Sequence, residues 1–131
     1  MKITKHFFLF LLSVSVFSAC KKDSSVPAFT IEGSWVGKLG SGSNTPGSQF
    51  EINVKPGGVL ERINGNGGIS GIGTWQVTGN TFTGHYEFIT SNGSASVQAI
   101  IDKAANKLVN GTWGSGNNTS GSGTWYASRE N

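Results

Sequence analysis

The most constraining feature of this chain is a succession of eight short β-patterned runs joined only by turn chemistry, with no helical periodicity between them. The runs are Ser34 to Leu39, Gln49 to Val54, Val59 to Ile63, Gly73 to Thr78, Thr81 to Ile89, Ser94 to Ile101, Lys107 to Trp113 and Gly123 to Ser128. Pro56-Gly57 suits a type II turn, and Gly79-Asn80 and Asn92-Gly93 supply the positive φ that tight hairpins need. The longer connections, Gly40 to Ser48, Asn64 to Ser70 and Gly114 to Gly121, are mainly Gly, Ser, Asn and Thr. Sequential hairpins predict an all-β, eight-stranded antiparallel meander. Closing it into a barrel removes the exposed edges, and a two-sheet β-sandwich is the alternative. The 20 glycines among 131 residues follow no G-X-Y period, which excludes collagen, and the length allows a single domain.

The N-terminus is read separately from the fold. Lys2 and Lys5 form a positive n-region and Phe7 to Phe17 an uncharged h-region too short to span a bilayer, so residues 1–19 are expected to be a signal peptide. The sequence Phe17-Ser18-Ala19-Cys20 resembles a bacterial lipobox, with Phe where Leu is usual. That resemblance implies cleavage before Cys20 and lipidation of this cysteine, the one cysteine in the chain. Residues 20–29 then form a tether whose Lys21-Lys22-Asp23-Ser24-Ser25 stretch is similar to segments following the lipid cysteine in Bacteroidetes lipoproteins. The resemblance implies a membrane partner through the N-terminal lipid, in the cell envelope and at the outer membrane. Residues 30–131 are left for the β domain.

Charge and composition exclude several chemistries. Loss of Lys2 and Lys5 leaves eight basic against seven acidic residues, a formal charge of +1, so no nucleic-acid partner is expected. One cysteine forms neither an internal disulfide nor a four-ligand zinc site, and His85 is the one histidine outside the leader. No metal or cofactor site is expected. His85 and Glu87 share a strand face, as a base and its orienting carboxylate would, but the pattern assigns that face to solvent and sets no nucleophile beside it. The chain is therefore not expected to be an enzyme.

All four tryptophans occur in one local pattern: Gly33-Ser34-Trp35, Gly73-Thr74-Trp75, Gly111-Thr112-Trp113 and Gly123-Thr124-Trp125. Residues two apart on a strand share a face, so each Gly sits beside its Trp and leaves room for a ring from a neighbouring strand. Extending the alternation gives an inner face of Trp35, Leu39, Phe50, Ile52, Val54, Trp75, Val77, Phe82, Tyr86, Phe88, Val97, Ala99, Ile101, Val109, Trp113, Trp125 and Ala127. This face carries no charge, and its polar handles are Tyr86 and the indole N–H groups. An apolar face turned inward is the orientation of a soluble barrel, opposite to a transmembrane one. Simple packing and contact with a ligand both account for the tryptophans at this point.

The motif Gly33-Ser34-Trp35 on the first strand, the eight-strand meander and Arg129 after the last strand together resemble the calycin superfamily of lipocalin, fatty-acid-binding and avidin-like barrels. The resemblance implies that Trp35 packs at a closed end beneath Arg129, a structural pair joined by a cation–π contact. Gly33 to Gly42 and Thr81 to Tyr86 are faintly similar to avidin segments, but the polar residues that contact biotin are not traceable here, and biotin binding is not carried over. Two functions follow. One is a carrier that sequesters a small apolar ligand inside the barrel against Trp75, Tyr86, Trp113 and Trp125. The other is a surface interaction module with a side-chain-filled barrel, whose polar loops contact glycan or a partner protein and whose Tyr126 offers an outward ring.

Overall fold

The computed structural model describes residues 28–131; residues 1–19, expected to be a signal peptide, Cys20 and residues 21–27 of the expected tether lie outside the described residues. Eight strands follow one another: β1 Gly33–Ser41, β2 Ser48–Lys55, β3 Val59–Ile63, β4 Ile69–Thr78, β5 Thr81–Phe88, β6 Ser94–Asp102, β7 Lys107–Ser115 and β8 Gly123–Arg129. They form a closed antiparallel barrel in meander order, so the barrel and not the sandwich is the architecture. Closure comes from β1 pairing with β8, with Trp35 opposite Arg129 and Leu39 opposite Trp125. A short 3-10 turn at Pro56–Gly58 joins β2 to β3, and Gly57 sits at φ 81°, ψ 13°, the third-position geometry of a type II turn.

An up-and-down meander places alternate connections at opposite ends. The base carries the chain entry at Ala28–Glu32, the tight turns after β2, β4 and β6, and the C-terminus. The other end, called here the loop end, carries the connections 42–47, 64–68, 89–93 and 116–122.

Inward side chains form one contiguous cluster that includes Trp35, Phe50, Ile52, Phe82, Val97 and Trp125, each at most 1% exposed. Phe50 and Trp125 meet with ring centroids 4.9 Å apart at 44°, and Tyr86 and Phe88 meet edge-on at 5.5 Å.

Three parts of the expected inner face differ. Val109 faces outward opposite Ile100, and Leu108 takes its place in the core. The reason is a bulge in β7: pairing moves from Gln98↔Thr112 to Ile100↔Val109 on one side and from Leu108↔Ala127 to Gly111↔Trp125 on the other. The added residue, Asn110, adopts φ 54°, and the alternation slips by one. Val77 and Phe88 lie near the strand ends and are each 37% exposed. Finally, the inner face does carry a charge. Arg62 pairs with Ile52 and follows Leu60 by two on β3, so it points inward near the loop end.

Candidate functional site

The glycine of each Gly-x-Trp unit admits something different. A Cβ at Gly111 would lie 2.5 Å from the Trp125 carbonyl and 2.7 Å from its ring, and one at Gly123 would strike the Gly40 carbonyl and lie 2.6 Å from Trp113 Nε1, so these two glycines make room for a neighbouring backbone as well as a ring. A Cβ at Gly33 would strike the Arg129 guanidinium, and one at Gly73 the backbone of His85 and Tyr86 on the adjacent strand.

The four indoles are anchored to the backbone. Trp35 Nε1 donates to the Ile31 carbonyl at 2.9 Å, Trp75 to Lys55 at 2.8 Å, Trp113 to Gly40 at 2.8 Å and Trp125 to Thr112 at 2.9 Å. Trp125 and Tyr86 are buried in the core, while Trp75 and Trp113 are half-buried against it toward the base and the loop end respectively. These four side chains, expected to line one cavity, thus fall at different levels of the barrel. Each indole N–H is already bonded to the protein.

At the base, the Arg129 guanidinium lies over the Trp35 ring at 4.5 Å and over Phe29 at 5.4 Å. It donates to the carbonyls of Glu32, at 2.8 Å, and Thr30, and to Asn106 Oδ1 at 3.3 Å, tying the entering chain to the barrel floor.

Three depressions of about 250, 440 and 330 Å³ lie on the outside of the barrel. The first surrounds the Trp75–Gly84 pair and is edged by Thr74, Gln76, Thr83 and His85. The second and third lie at the base, beside Ser34, Asn53 and Lys55, and beside Phe29 and Arg129. His85 Nδ1 is 2.8 Å from the hydroxyl of buried Ser96, whose proton goes to the Gly116 carbonyl at 2.6 Å. With that proton committed, the hydroxyl accepts from Nδ1–H. Glu87 shares the outer face with His85 but makes no hydrogen bond to it. Tyr126 is 46% exposed midway along β8, opposite Lys38, and not beside the loops.

The loop end has a consistent chemistry. None of the residues 42–47, 64–68, 89–93 and 116–122 is charged, and Asn, Ser, Thr and Gly make up nearly all of them. Exposed Ile69, Phe88 and Ile89 adjoin them. The loops are tied together and to the strands: Gly42 N donates to Ser122 O at 2.8 Å, Gly116 N to Ser94 O at 2.9 Å and Ile89 N to Ser70 O at 3.0 Å. Asn64 Oδ1 accepts from the amides of Asn66 at 2.8 Å and Gly68 at 3.0 Å, closing an Asx-type turn, and Thr112 Oγ1 donates to Thr119 O at 2.7 Å.

Arg62 lies under this end. Its guanidinium carbon is 4.4 Å from the centroid of Phe50, Nη1 donates to the Tyr86 hydroxyl at 3.2 Å and Nη2 to the Gln49 carbonyl at 3.3 Å. Among the described residues Nε is buried with no hydrogen-bond partner, and their one salt bridge, Lys55–Glu61 at 3.2 Å, lies elsewhere. Burial raises the Tyr86 phenol above its ordinary pKa of 10.0, and the nearby Arg62 opposes this in part. Alternation from Leu60 placed Arg62 on the inner face, a signal readable in Val59-Leu60-Glu61-Arg62 but masked by the residue's charge. Compared with protein-family models, curated proteins and solved structures, the chain matches none of them.

Proposed function

We propose that this protein is a lipid-anchored binding module of the cell envelope that engages glycan through the loop end of a side-chain-filled barrel, without catalysis. The observation that carries this reading is the loop end itself: exposed, uncharged, rich in amides and hydroxyls, and cross-tied before any ligand arrives. Amide and hydroxyl groups exchange hydrogen bonds with sugar hydroxyls, exposed Phe88 and Ile89 offer apolar area for sugar faces, and ordered loops lose less entropy on binding. Against an interior carrier stands the packing of Phe50, Tyr86 and Trp125, whose displacement would cost the apolar burial that holds the barrel together.

The anchor belongs to the same reading. Lipid on Cys20 would be joined to Ala28 by residues 21–27, a reach of at most about 29 Å. Because the chain enters at the base, the loop end would face away from an outer-membrane surface.

The test has two parts. Cys20→Ser is expected to abolish incorporation of labelled fatty acid in a bacterial host. Envelope-derived oligosaccharides, titrated into the soluble form, are expected to lose at least about tenfold in affinity when Asn117 and Asn118 are both changed to Ala. Unchanged affinity for every glycan that binds would remove the loop end from the account.

A further inference from the structure

Resting on the loop-end reading, we infer that Arg62 is an oxyanion-binding residue, so that the ligand class is an acidic saccharide bearing a carboxylate or phosphate group. A half-buried guanidinium is costly to desolvate and is ordinarily paired with a carboxylate or fully hydrogen-bonded. Among the described residues no carboxylate faces it. Glu51, Glu61 and Glu87 are on the outer face in register, and Glu61 is engaged by Lys55.

The geometry also fixes the group rather than hiding it. Phe50 supports one face, while Tyr86 and the Gln49 carbonyl each take one N–H from a different terminal nitrogen. Each terminal nitrogen therefore keeps one more N–H, and a paired set of donors is what a carboxylate or phosphate accepts. The surrounding loops contain no charged residue, so among the described residues Arg62 is the one charge a bound acid would meet on the inner face at this end, with Glu87 beside Phe88 facing outward.

The experiment is an NMR titration of the soluble Cys20→Ser protein with glucuronate, glucose 6-phosphate and glucose at constant chloride, following the Arg62 side-chain N–H and the loop amides. Glucuronate or glucose 6-phosphate is expected to move both sets of signals and to bind at least about tenfold more tightly than glucose. That advantage is expected to fall with added salt and to vanish in Arg62→Gln. Response to glucuronate alone assigns a carboxylate ligand, and response to glucose 6-phosphate alone a phosphate. Arg62→Lys keeps the charge without the fork and, checked for unchanged thermal unfolding, is expected to lose most of the preference. Loop shifts with all three sugars while Arg62 stays silent would overturn the oxyanion site and leave the loop-end reading standing. Anion shifts at Arg62 without loop shifts would overturn the loop-end reading instead, and silence throughout would overturn both.

Discussion

Single residues in this barrel are judged by the space left for them. Gly111 is the clearest case, because a Cβ there would lie 2.5 Å from the Trp125 carbonyl and 2.7 Å from its ring, neither of which can retreat within a packed wall. Gly111→Ala is expected to cost about 1–3 kcal/mol in urea unfolding, whereas Gly47→Ala, whose Cβ meets nothing nearer than 3.9 Å, is expected to fall within about 0.5 kcal/mol of the parent. Tyr86 gives a pH signature. Its folded pKa is raised, so its contribution to stability is whole below pH 10.0 and is lost as the pH climbs from there through the folded value. Urea midpoints measured at about pH 8 and about pH 11 are expected to fall on the alkaline side, and less so in Tyr86→Phe. An equal fall in both would show that the phenol is not held neutral by burial.

At the scale of the element, β7 is the instructive strand. Its bulge rests on Asn110 at φ 54°, a conformation Asn tolerates and a β-branched residue does not. Asn110→Val is expected to destabilise by about 1–3 kcal/mol and Asn110→Gly by less than about 1 kcal/mol, both read from denaturant midpoints. The same bulge marks where the sequence stops being legible. Seven other strands were readable because polar and apolar residues alternate between Gly, Pro and Asn punctuation, and the barrel followed from the order of hairpins. In β7, counting back by twos from Trp113 lands on Val109, and nothing in Leu108-Val109-Asn110 announces that the count must skip. Leu60 and Ala95 are core residues outside the expected inner face: Leu60 lies on a five-residue strand with few repeats to establish its phase, and Ala95, two before Val97 on β6, is too small for its type to announce burial. Arg62 is hidden by its charge and not by its strand phase, which follows Leu60 inward. The candidate site was thus less legible than the fold. The Asn/Ser/Thr/Gly loops could be seen in the sequence, but their gathering at one end, and the cation beneath them, depend on how the barrel closes.

The whole molecule has two unlike ends. Its base is stitched by Arg129 to the entering chain and closed by Trp35. The connections at its loop end carry no charge, with Arg62 beneath them on the inner face and Glu87 beside them on the outer face. This division follows from the meander, which sends the short turns one way and the long loops the other. It also separates the proposed attachment point from the proposed binding surface. The central claim is that the barrel interior belongs to its own side chains, and native mass spectrometry of the Cys20→Ser protein, purified gently from the soluble fraction of its bacterial host, tests it most directly. The account predicts no apolar adduct, before or after incubation with a panel of lipophiles, with any bound mass being a hydrophilic saccharide. A reproducible lipophilic mass that persists in the folded protein and disappears on unfolding would contradict it and return function to the interior.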